Sequence, residues 1–154
     1  MPHARSRPTS ACCARPRHAG RTHAHRQGHL LQPRAGLPRA ERELAAAATS
    51  RANGCIYCAS VHARFATHFS RRGGDVQRLL DEGPGTDLGP RWNAIVTAAV
   101  ALTQTPPALE PAHIDALRAA GLDDAAISDV LHGTAFFNWA NRLMLSLGEP
   151  RTTA

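Results

Sequence analysis

The chain of 154 residues is long enough for one domain with a proper core but not comfortably for two, and its 43% hydrophobic content suits a globular protein. The formal charge of +6 is uneven: residues 1–40 hold eight arginines and no acid, whereas residues 41–154 hold ten arginines against twelve acids. This removes most of the case for a folded nucleic-acid-binding domain with a basic face, and weak, salt-sensitive contact through the Arg-rich stretch is expected, without sequence specificity.

No run approaches the roughly 18 consecutive apolar residues of a membrane span, so no membrane association is expected. The N-terminus lacks the apolar core of a secretory signal. It is arginine-rich and acid-poor like a transit peptide, but its prolines break an amphipathic helix. Cytoplasm is the expected location, and there a Cys-x-x-Cys pair reads as redox or metal chemistry, not as a structural staple. All basic residues are arginine, a usage bias that speaks to origin and little to function.

In chain order, residues 1–29 contain no Leu, Ile, Val or Phe. Such a segment cannot bury enough apolar surface to offset its ordering entropy, so residues 1–35 are expected to be a disordered tail. Its five histidines, with Cys12 and Cys13, read as biased composition, because nothing there fixes ligand geometry. A misplaced start would produce a similar stretch, which peptide mapping of the natural protein would reveal. From residue 38 the character changes. Pro38 followed by Glu41 and Glu43 opens a helix that runs to Asn53-Gly54. A second helix is expected from near Cys55 to Gly73-Gly74, then a short one around residues 76–80, then a Gly/Pro loop over 83–90.

Trp92, Ile95, Val96, Ala99, Val100 and Thr103 recur at helical spacing and should form one buried face, ended by Pro106-Pro107. Residues 110–120 read as a short helix closed by Gly121. Asp123-Asp124 opens the longest helix, to Leu147, which is apolar on more than one face and so is expected at the centre or at a subunit contact. No segment alternates as a half-buried strand does. The expected architecture is an all-α domain over 36–149, with a short tail over 150–154.

The chemistry concentrates in Asn53-Gly54-Cys55-Ile56-Tyr57-Cys58-Ala59-Ser60-Val61-His62. At about 100° per residue, Cys55, Cys58 and His62 fall within an arc of roughly 60° on a helix. The two cysteines lie about 5 Å apart between α-carbons, within disulfide reach. A helix start offers unsatisfied N–H groups and the positive dipole end, which favour the reactive thiolate. His62, one turn beyond Cys58, can take up or return a proton. This suits a cycle in which one thiolate opens an O–O bond and the second thiol closes a disulfide that an outside dithiol reduces. A zinc site wants four ligands, which here would have to include His62 and Glu43. A thioredoxin-like reading needs βαβ units that are missing. Two buried cysteines and a satisfied histidine are the plain packing alternative.

Glu43, twelve residues ahead of Cys55, completes a pattern. The stretch Arg42-Glu43-Leu44…Asn53-Gly54-Cys55-Ile56-Tyr57-Cys58…His62 resembles the alkyl hydroperoxidase D / carboxymuconolactone decarboxylase family. The later Ala135-Phe136-Phe137-Asn138-Trp139-Ala140-Asn141-Arg142 resembles its peroxidase-related branch. The resemblance covers about 36–149. It implies a compact helical fold, a homo-oligomer, and reduction of organic hydroperoxides without a bound cofactor or metal, the electrons coming from a dithiol reductant protein such as one of lipoyl type. It further implies that Cys58 attacks the peroxide, Cys55 resolves, and Glu43 with His62 relays protons. Well-known members carry histidine where this chain has Tyr57, and a tyrosine does not exchange protons at neutral pH as an imidazole does. The N-terminal helices typical of the family are absent or replaced by residues 1–29.

His68 is expected at the surface, and His113 and His132 are expected to be satisfied structural groups. Phe136, Phe137 and Trp139 could wall a substrate pocket, but core or subunit packing is the better reading. Asn138 and Asn141 are expected to hydrogen-bond internally. The competing functions are a decarboxylase-type lyase, which does not use a thiol pair, and a non-enzymatic redox or zinc-binding module.

Overall fold

Pro38 cannot donate a backbone hydrogen bond and so marks a helix boundary, and from Arg39 the alanine-rich sequence winds into α1, Arg39–Ala52, with Glu41 in its first turn and Arg51 in its last. The computed structural model describes residues 36–148. After α1 come α2 (Ile56–Ser70), α3 (Gly73–Glu82), α4 (Pro90–Thr103), α5 (Pro111–Ala119) and α6 (Asp124–Leu147), and no strand occurs among the described residues. The expected tails over 1–35 and 150–154 lie outside them.

One boundary differs from expectation. α2 stops at Ser70, where Arg71 turns left-handed at φ 60° and its N–H bonds the Thr67 carbonyl, and Gly73-Gly74 open α3 where they were expected to close α2. Arg72 decides this locally. Its guanidinium bonds Asp75 in the first turn of α3 at 2.7 Å, reaches the Leu88 carbonyl at 2.6 Å, and lies 3.8 Å from the centre of the Trp92 ring. Pro90 sits in the first turn of α4 and Pro111 in that of α5, where a missing N–H costs nothing. Asp123 caps α6 by accepting from the Ala126 N–H at 2.7 Å.

α1 is the central element. It packs chiefly on α2 and also on α4 and α6. Every residue from Glu41 to Ser50 is buried, so no face of this stretch is left to solvent. The run Ala45–Ala48 makes that possible, because small side chains let three helices approach one backbone. The core joins Leu37 and Leu44 to Leu79, Ile95, Val96, Leu117 and Val130. The face predicted for α4 is buried at Trp92, Ile95, Val96, Ala99 and Thr103, with Val100 half-buried. α6 divides: Ile127, Val130 and Phe137 are buried, while Trp139, Leu143 and Leu147 are exposed.

Two charged ties fix the start of α1. Arg91 grips both oxygens of Glu41 through Nε and Nη2, at 2.7 and 2.9 Å, and its Nη1 donates to the carbonyls of Ala120 and Gly121. Arg42 donates to the Leu37 carbonyl, and the Leu37 N–H bonds Asp129 on α6 at 2.9 Å. Burial pushes the Arg42 guanidinium down, opposed by the charges of Asp129 and Glu43.

Candidate active site

Three residues, Asn53, Gly54 and Cys55, separate α1 from α2. The Gly54 N–H bonds the Arg51 carbonyl and the Cys55 N–H bonds the Ser50 carbonyl at 3.0 Å, which closes α1 with a Schellman turn. Gly54 takes φ 75° there, a backbone state that a residue with a Cβ adopts only under strain. The turn delivers Cys55 as the N-cap of α2, in extended conformation at φ −82° and ψ 94°. Cys55 therefore stands one residue ahead of the helix, and the single-helix wheel expected for all three groups holds for Cys58 and His62 alone.

Four polar side chains hold this turn against α6. Asn53 donates to Asn138 and Asn141 at 3.2 and 3.1 Å, and Asn141 donates to the Ser50 hydroxyl at 3.1 Å. Asn141 is fully buried, so its amide depends on these partners. The asparagines expected to bond internally thus secure the backbone that places Cys55. Their separations from Asn53, 85 and 88 residues, left no sign of this in the sequence.

Cys55 and Cys58 both carry thiols and both are buried, Cys55 completely and Cys58 with 8% exposed. The first intrahelical bond of α2 runs from the Ala59 N–H to the Cys55 carbonyl at 3.0 Å, and no side-chain cap closes this helix end. The dipole end thus faces the thiol pair. An open cavity of about 340 Å³ lies beside the turn, walled by Ser50, Arg51, Gly54, Cys55, Ile56 and Leu80.

Glu43 and His62 meet across the α1–α2 contact. His62 Nδ1 lies 2.6 Å from Glu43 Oε2, with the glutamate fully buried and the histidine 5% exposed. The other carboxylate oxygen, Oε1, accepts from Arg39 Nε at 2.6 Å. A buried carboxylate is tolerable only with such partners. Phe137 walls the imidazole edge-on, with ring centres 4.3 Å apart. Phe137 is core, as expected, and its buried ring borders His62. Among the described residues no group of three or more His, Cys, Asp or Glu is placed to hold a metal ion.

Residues 16–101 match the model of the carboxymuconolactone decarboxylase family. The chain belongs to that family. No curated protein matches it. Among solved structures it is similar to the alkylhydroperoxidase AhpD core of an uncharacterized peroxidase-related protein from Ralstonia eutropha JMP134, with TM-score 0.76 and 27% identity over 90% of this chain and 73% of that one. It is likewise similar to an uncharacterized peroxidase-related protein from Silicibacter sp. TM1040, with TM-score 0.75 and 25% identity over 86% of this chain and 70% of that one. The debrominase Bmp8 shares the fold, with TM-score 0.69 and 21% identity over 88% of this chain and 74% of that one.

In this member of the carboxymuconolactone decarboxylase family the other histidines among the described residues have partners of their own. His113 accepts from the Glu110 N–H at 3.0 Å within a capping box. His132 bonds the Ser128 carbonyl at 2.8 Å on the surface of α6, and exposed His68 lies edge-on to Phe69. Tyr57 is 39% exposed at the start of α2. No helix among the described residues is long and apolar enough to cross a membrane.

Proposed function

We propose that this protein is a thiol peroxidase that reduces alkyl hydroperoxides through a Cys55–Cys58 dithiol–disulfide cycle. The observation that carries the reading is the buried Glu43–His62 pair at 2.6 Å, one helical turn from Cys58 at a helix end without a side-chain cap. With Nδ1 bound to a carboxylate, the neutral imidazole keeps its proton there and leaves Nε2 as a lone pair. His62 then takes the Cys58 proton, directly after a rotamer change or through one water.

In the first step the Cys58 thiolate attacks the distal peroxide oxygen. The O–O bond breaks, Cys58 becomes a sulfenic acid, and the alkoxide leaves as an alcohol with the proton held by His62. In the second, the Cys55 sulfur displaces hydroxide from the sulfenic sulfur, and a disulfide and water result. In the third, an external dithiol protein reduces that disulfide by exchange and is itself oxidised. Tyr57 contributes at most a hydrogen bond. The cytoplasm, where dithiols are kept reduced, suits the cycle. A lyase reading makes no use of the thiol pair, and the non-enzymatic module makes no use of the relay beside it.

The test supplies reduced protein with cumene hydroperoxide and dihydrolipoamide. Cys58→Ser should abolish turnover, and Cys55→Ser should consume about one equivalent and stop as a sulfenic acid that dimedone traps. Both variants turning over like the parent would remove the peroxidase assignment.

A further inference from the structure

Glu43 has two oxygens, and only one meets His62. The other is held by Arg39, one turn earlier on α1, at 2.6 Å. An Arg–Glu pair at i,i+4 is ordinarily a solvated surface contact of little consequence. Here the carboxylate end is fully buried while the arginine side chain keeps 25% of its surface exposed. The guanidinium therefore spans from a buried anion to the protein surface. On the way it passes over α2: its central carbon lies 4.9 Å from the Phe69 ring centre and 6.0 Å from that of Phe65. Those rings are stacked, with centres 6.5 Å apart and planes at 24°, and both are partly exposed. Their π faces hold a cation by attraction to the ring quadrupole, which limits the arginine to one pose.

We propose that Arg39 is a positioning residue: by occupying Oε1 it presents Oε2 alone to His62 and so fixes the imidazole in the tautomer that carries its proton on Nδ1. The physical need is clear. A carboxylate with a loose second oxygen can rotate about its last torsion, since terminal sp³–sp² torsions are broad. It can then meet the imidazole in more than one geometry, and the ring is free to put its proton on either nitrogen. The partners behind metal-binding histidines set ring orientation and tautomer in this way, at a cost of roughly 10- to 100-fold when lost, and the same geometry acts on a histidine that moves protons. Phe65 and Phe69, otherwise unexplained aromatics on the outer side of α2, form the cradle that keeps the guanidinium in place.

This proposal rests on the peroxidase reading for its rate consequence but not for its structural one, and the test separates them. Long-range proton–nitrogen correlation spectra of protein with ¹⁵N-labelled histidine report which ring nitrogen of His62 carries the proton, without any substrate. The parent should show the Nδ1–H form alone. Arg39→Ala should show a mixture of both tautomers. Arg39→Lys, which can still place one N–H on Oε1, should recover mostly the parent form. In the cumene hydroperoxide assay Arg39→Ala should lower kcat about tenfold with KM nearly unchanged, and Arg39→Lys should restore most of it. A parent-like single tautomer in Arg39→Ala overturns the proposal. If the parent protein itself consumes no peroxide, the peroxidase reading fails while the spectra still decide the role of Arg39.

Discussion

At the scale of single residues, two glycines show how backbone state and space contribute separately. Gly54 and Gly36 both take φ 75°. A Cβ added at Gly54 would meet nothing within 4 Å, whereas one at Gly36 would overlap the Asp129 carboxylate that binds the Leu37 N–H. Gly54→Ala should therefore cost about 1–2 kcal/mol, the left-handed penalty alone. Gly36→Ala should cost more, because it adds displacement of Asp129 and loss of its bond to Leu37. Urea denaturation of the two variants checks the order, and equal midpoints would show that Asp129 yields freely. The same scale explains why Glu43 was legible and its surroundings were not. Its spacing to Cys55 is written in the sequence, but burial of Glu41, Arg42, Glu43, Thr49 and Ser50 on one helix contradicts what polar residues ordinarily signal. Arg39 was equally hidden, since an i,i+4 Arg–Glu pair looks the same in sequence whether it is solvated or buried.

At the scale of elements, the junction of α2 and α3 depends on charge. Arg78 and Arg72 both bond Asp75, at 2.7 Å each, and these bonds hold its carboxyl below the usual carboxylate range, Arg78 contributing most. An acid whose pKa is lower in the folded state stabilises the fold above its unfolded pKa and loses that contribution as the pH falls through the folded value. Asp75→Asn should thus lower the urea midpoint near neutral pH. The gap from the parent should narrow as the pH falls below about 4, toward the lowered folded pKa. Because Asp75 is at the surface, added salt should shrink the gap as well. A gap that stays constant from pH 7 to strongly acidic solution would show that the carboxylate is not the cause. These bonds also account for the misplaced boundary. Two consecutive glycines ordinarily punctuate a helix end, and what opens α3 instead is Arg72 reaching both Asp75 and the distant Leu88.

At the scale of the whole molecule, α6 carries an unequal apolar load. Its first half completes the core, while Trp139, Leu143, Leu145 and Leu147 remain 42–84% exposed. Trp139, Leu143 and Leu147 recur every four residues and so share one side of the helix, and an exposed apolar stripe of this kind marks an interface. We propose that it joins copies of this chain, as the family resemblance implies. Trp139→Ser with Leu143→Ser should then shift the sedimenting species to a smaller mass without loss of helicity. A parent protein that sediments as a monomer at micromolar concentration would remove that expectation.

The sequence alone determined the helical class, most helix ends and the Cys-x-x-Cys turn, because each is written in local periodicity, turn residues or short spacing; the membership of Glu43 with His62 in one pattern came from the family resemblance. Only the tertiary structure decided that α1 has no solvent face over ten residues, that Phe137 borders His62, and that Asn138 and Asn141 tether the turn before Cys55. Those facts arise where helices distant along the chain meet, and burial or partnership created by such contacts leaves no trace in the spacing of either segment.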